Sequence, residues 1–141
     1  MMMTTPQPII AQLRAPAFGV IARAILTAPY ALAGLYKLTH LRDALGEAAH
    51  FGLRPAGLVV ALTIVVQLGG SVLLVLGRLG WLAAGALGVF TTLATLIAHP
   101  FWTLSDPMDR FHATNTFLEH MGLIGGLMLA AILIEPDRKT A

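Results

Sequence analysis

Four long apolar stretches, separated by polar or turn-rich segments, dominate the chain. They run from about Ala17 to Leu38, Gly57 to Leu76, Trp81 to His99 and Phe117 to Ile134. A spanning helix needs about 20 mostly apolar residues, because the hydrocarbon core of a bilayer is roughly 30 Å thick. The pattern therefore predicts an all-α, integral membrane four-helix transmembrane bundle, with residues 1–141 forming one domain.

The segments between the stretches differ in character. Leu76-Gly77-Arg78-Leu79-Gly80 reads as a tight helical hairpin whose glycines suit a left-handed C-cap. The connection from Thr39 to Ala56 is longer and predicts a short interfacial helix around Leu41–Ala49. Pro100 to Thr116 carries Asp106-Pro107 and Asn115, residues of turn chemistry. Before the first stretch lies a polar, proline-containing leader, Met1 to Pro16, expected to be mobile at its start. After the last, Glu135-Pro136-Asp137-Arg138-Lys139 predicts a helix stop at the water boundary. Arg14, the apolar run and Ala31-Leu32-Ala33 imitate a cleavable signal peptide, but the run is too long and Arg23 interrupts it. The first span is expected to be retained.

Composition narrows the picture. Hydrophobic residues make up 57% of the chain and charged ones 11%, against roughly 25% charged in soluble domains. Mean hydropathy is +0.78. A small soluble domain must wet most of its surface, so this excess of apolar residues belongs in lipid. There is no cysteine, which excludes disulfides, zinc–thiolate sites, iron–sulfur ligation and thiol catalysis. The formal charge is +2, with basic residues dispersed singly; nucleic-acid binding, which calls for a basic stripe, is not expected. Four spans place both ends on one side. Arg14, Arg23, Arg78, Arg138 and Lys139 fall there, against Lys37, Arg42, Arg54 and Arg110 opposite. That slight bias predicts cytoplasmic termini.

Polar residues inside lipid carry the candidate chemistry, since charges within spans usually face a bundle interior or wet cavity. Arg23 lies inside the first span. Either its long stem snorkels back to the headgroups, or it meets Gln67 on the antiparallel second span, where an amide alone would serve as interhelical glue. All five histidines, His40, His50, His99, His112 and His120, fall toward the opposite end, with Tyr36, Lys37, Trp102, Asp106 and Glu119. Such a set suits a metal, haem, quinone or proton relay. No two histidines have i,i+3 or i,i+4 spacing, so no metal site is expected. Trp102 suits an interfacial aromatic belt, and Lys37 and Glu119 are placed to pair across the outer ends of the first and fourth spans. Gly122/Gly126 and Ala84/Gly88 form small-xxx-small pairs, expected to pack within the bundle, with homo-oligomerisation the other use of that face. Thr63, Ser71, Thr91, Thr92 and Thr95 sit within spans, where hydroxyls bond the preceding turn, and no catalytic residue is identified.

The order Ala22-Arg23 … Ala33-Gly34-Leu35-Tyr36-Lys37-Leu38, then Gln67-Leu68-Gly69-Gly70 … Leu76-Gly77-Arg78, His99-Pro100-Phe101-Trp102 and Phe117-Leu118 … Gly125-Gly126-Leu127 resembles the DoxX family. The resemblance covers roughly Phe18 to Ala131. It implies a small bacterial or archaeal four-helix membrane protein, from a family named for a subunit associated with a thiosulfate:quinone oxidoreductase. It also implies that Arg23, Lys37, Gln67, His99 and Trp102 occupy the family's polar-motif positions. Two positions depart from the pattern: Gln67 stands where relatives often have glutamate, and Glu119-His120 where they often have lysine–asparagine.

The leading expectation is thus a membrane subunit of a quinone-linked redox complex with oxidoreductase partners and no electron-transfer centre of its own. Arg23, Lys37, Gln67, His99, Trp102, Glu119 and His120 are the candidate cofactor-binding residues, for a quinone held non-covalently. A small-molecule or lipid carrier and a structural assembly factor are the competing expectations.

Overall fold

The structure is a computed structural model that describes residues 5–134. Among these, four helical spans are long and apolar enough to cross a membrane: Pro16–Thr39, Ala56–Leu76, Gly80–Thr103 and Pro107–Ile134. The predicted stop at Glu135–Lys139 lies outside the described residues. The start of the leader, expected to be mobile, lies outside the described residues, and Gln7–Leu13 form a short helix, α1, with Ile9 and Leu13 exposed.

Span one is α2, Pro16–Thr39, and a surface helix α3, Leu41–His50, follows it almost at once. Span two is α4, Ala56–Ile64, then a π-helical turn at Val65–Gly69, then α5, Gly70–Leu76. Span three is α6, Gly80–Ala98, followed by a 3₁₀ turn at Phe101–Thr103. Span four is α7, Pro107–Ile134, which starts ten residues before the sequence pattern suggested. The cause is local. Asp106 Oδ1 accepts hydrogen bonds from the backbone N–H of Met108 and Asp109, both at 2.9 Å, and Pro107 supplies the preset φ of a first helical residue. The expected turn is a helix cap, and the polar Asp109–Thr116 segment is helical beyond the apolar stretch.

The hairpin joining spans two and three matches its prediction. Gly77 is left-handed at φ 67°, and Arg78 N–H reaches the Leu73 carbonyl at 2.9 Å, closing a Schellman turn. At this end the helices pack tightly around Leu74, Leu87 and Leu127, all essentially inaccessible. Gly70 makes the contact possible: a Cβ there would lie 2.8 Å from Leu87 Cγ. The opposite end is built differently. The small cluster Ala44, Ala48 and Val60 ties α3 onto α4, and α6 packs against α5 and the π turn while standing away from α4.

Outward faces are apolar, as a bilayer requires: Ile25, Leu32, Ile132 and Leu133 are all at least two-thirds exposed. Of the expected small-residue pair on α7, only Gly126 works within the bundle, taking Leu26 where a Cβ would sit 2.8 Å from Cδ1. Gly122 has nothing near it. Close packing in lipid is thus confined to one residue of the pair.

Candidate functional site

The divergence of α4 from α6 opens a groove of about 930 Å³ between spans one, two and three. That is near the upper end of ordinary ligand sites, roughly 300–1,000 Å³. One wall follows α6 from Trp81 and Leu82 through Gly85, Val89 and Leu93 to His99. Eighteen residues at about 1.5 Å each make this wall about 27 Å long. The other walls are Pro29, Tyr30, Ala33 and Lys37 of α2, the inner face of α3, and Val59, Thr63, Val66 and Gln67 of span two. The lining is apolar at the hairpin end and becomes polar toward the histidines.

Two backbone irregularities frame this groove. Pro29 lies inside α2, where a proline removes one helical hydrogen bond. The π turn Val65–Gly69 carries Gln67 at its centre; such insertions re-aim a side chain and are frequent at functional sites. Gln67 is 4% exposed. Its carbonyl oxygen Oε1 is buried with no hydrogen-bond partner among the described residues. An unpaired buried amide oxygen costs roughly 1–3 kcal/mol.

Farther along, hydroxyls on one face of α6 hold two groups from other helices. Tyr30 Oη and Thr91 Oγ1 are 2.6 Å apart, and Thr95 Oγ1 lies 2.6 Å from His120 Nδ1. The His120 and His99 rings meet edge to face, with centroids 5.5 Å apart. At the rim, Lys37 Nζ lies 3.4 Å from Glu47 Oε2.

Of the candidate residues, Lys37, Gln67, His99 and His120 line the groove together; Arg23, Trp102 and Glu119 do not. Two expected pairings are corrected. Arg23 does not reach Gln67: its Nε donates to the Val75 carbonyl at 3.3 Å, and its guanidinium lies beside Gly77. Val75 is eight residues from Gln67, roughly 12 Å along the helix. A free carbonyl at the end of span two is the nearer partner. Lys37 pairs with Glu47 rather than Glu119, because α3 folds back over the end of α2, while Glu119 is exposed on α7. Trp102 is 55% exposed and packs edge-on against Phe101 and Phe117, outside the groove.

Sequence reasoning missed Tyr30, Glu47 and the partners of Thr91 and Thr95. Tyr30 and Lys37 are seven residues apart and share a helix face, and Thr91 and Thr95 sit at i,i+4. Those spacings were the available signals.

The fold and groove define a polytopic, helical membrane protein with a ligand-sized space between its spans. The DoxX family profile matches residues 18–100, from the start of the first span to the end of the third, so the chain belongs to the DoxX family. No curated protein and no solved structure shows significant similarity to it. The match ends before α7, so His120, Glu119 and Trp102 lie outside the matched residues.

Proposed function

We propose that this chain is the membrane subunit of a quinone-linked redox complex, holding a quinone without an electron-transfer centre of its own. One observation carries the reading: a long apolar groove ends in a small cluster of polar side chains, with the buried Gln67 amide beside it. That gradient suits a molecule with an apolar tail and a polar ring. The tail would follow α6 toward Trp81, and the ring would sit among Gln67, Tyr30, Lys37, His99 and His120. When bound, the quinone would supply the redox chemistry; the chain's residues orient the ring and exclude water. The groove's side toward lipid gives such a molecule a route from the bilayer.

The reading also places the protein in the bacterial inner membrane with both termini cytoplasmic, so that the histidine-rich end faces outward. An oxidoreductase partner would supply the electron-transfer centre, and the open Gly122 face of α7 allows close approach of a partner helix. The test is extraction of protein purified in mild detergent, with quinone quantified per chain against an unrelated four-span protein. Quinone approaching one per chain, reduced in Gln67→Leu, is the expected result. Quinone at the background level of the control overturns the proposal.

A further inference from the structure

The hydrogen bonds at the polar end of the groove have a direction. Thr91 Oγ1 lies 2.6 Å from the Leu87 carbonyl, and Thr95 Oγ1 lies 2.6 Å from the Thr91 carbonyl. Two oxygens approach this closely only with a hydrogen between them, and a carbonyl has none to give. Both threonine hydrogens are therefore engaged on the backbone of α6. It follows that Tyr30 Oη donates to Thr91 Oγ1 across their 2.6 Å contact. By the same logic His120 donates from Nδ1 to Thr95 Oγ1, also at 2.6 Å. In its neutral form His120 then carries its single proton on Nδ1 and a lone pair on Nε2. Tyr30 keeps only lone pairs on its oxygen. Both residues line the groove, on threonines one helical turn, about 6 Å, apart along α6. At the rim Lys37 is paired with Glu47, and its remaining N–H groups, with the one ring N–H of neutral His99, are the donors there beside the Gln67 amide nitrogen.

We infer that the polar end of this groove is built to accept hydrogen bonds and takes a hydroxyl-bearing ring, a phenol or hydroquinone, in preference to one bearing only carbonyls. The inference deepens the reading of the groove as a quinone site and rests on it. A hydroxyl donates to Tyr30 Oη, His120 Nε2 or the unpartnered Gln67 Oε1, and its oxygen can still accept from the Gln67 amide nitrogen. A carbonyl can only accept, from the Gln67 amide nitrogen or the N–H groups of Lys37 and His99, and sets its lone pairs against those of Tyr30, His120 and the unpartnered Gln67 Oε1. The protein thereby holds the reduced ring more tightly than the oxidised one, through threonines that never touch the ligand.

The experiment uses the full chain in lipid nanodiscs, under argon, with three probes built on one tetramethylated ring: tetramethylhydroquinone, its bulkier dimethyl ether and tetramethylquinone. Equilibrium dialysis is expected to show the hydroquinone binding at least about tenfold more tightly than either of the others, as one or two lost hydrogen bonds imply. Nitrogen NMR of histidine-labelled protein should report His120 as the Nδ1–H tautomer. Thr95→Val, which removes the acceptor while keeping the shape, should shift that tautomer and narrow the preference to about threefold or less. Quinone binding as tightly as hydroquinone overturns the inference and leaves the quinone reading intact. An Nε2–H tautomer in the unaltered protein overturns it too, whatever the fate of the variant. Failure of all three probes to bind removes both the inference and the reading beneath it.

Discussion

Replacing Gln67 by leucine should make the ligand-free protein more stable while weakening binding in its groove. The side chain is 4% exposed and its Oε1 lacks a partner. Leucine is close to glutamine in size, and it removes the buried polar group without opening a cavity. An unsatisfied buried oxygen costs roughly 1–3 kcal/mol in water-soluble folds. In a bilayer the unfolded helices also bury polar groups and find partners, which brings polar effects down to roughly 1 kcal/mol. The expected gain is therefore about 1 kcal/mol, or about fivefold in the folding equilibrium, since 1.4 kcal/mol is tenfold. Reversible unfolding in bicelles by stepwise addition of SDS, followed by circular dichroism, measures the difference, with bound quinone stripped first. Addition of hydroquinone, whose hydroxyl can donate to Oε1, should then stabilise the unaltered protein more than Gln67→Leu, because mass action follows the affinity of the form that binds. A Gln67→Leu protein less stable by 1 kcal/mol or more would refute the reasoning. It would mean that the amide is a structural link between helices rather than a group kept for a ligand.

Gly70→Ala should cost about 1–3 kcal/mol in the same unfolding assay. Its new Cβ would lie 2.8 Å from Leu87 Cγ, and Leu87 is fully buried and cannot retreat; Gly122→Ala, with nothing near it, is the matched control and should be neutral. Asp106→Ala should cost about 1 kcal/mol through loss of the cap on α7, with faster amide exchange at Met108 and Asp109 as the local signature. Because the chain has no native cysteine, Arg78→Cys and His112→Cys report orientation directly. With cytoplasmic termini, an impermeant maleimide added to intact cells should label position 112 and not position 78; the reverse pattern would invert the topology.

The division between what could be read from the chain and what could not follows the range of the forces involved. Spans are set by solvent: a run of apolar side chains long enough to cross hydrocarbon has few alternatives there, because every backbone group must be satisfied within a helix. Hence the four spans, the Gly77 hairpin and the Leu41–His50 helix were legible in order and spacing. The misjudged start of the fourth span, at Pro107, came from a helix continuing beyond the apolar stretch, where a cap rather than hydropathy decides. The candidate site was legible only in part. That Lys37, Gln67, His99 and His120 are polar groups out of place in lipid follows from their chemistry. Which of them meet depends on helix rotation, and in a bilayer no amphipathic stripe reveals it, since lipid and protein interior are alike apolar. Thus the π turn that turns Gln67 inward, the divergence of α4 from α6, and the capture of Tyr30 and His120 by Thr91 and Thr95 were decided by tertiary packing alone. So was the placing of Arg23 at the Val75 carbonyl instead of Gln67. The chain specified how many helices cross the membrane; side-chain fit between them specified where a ligand would rest.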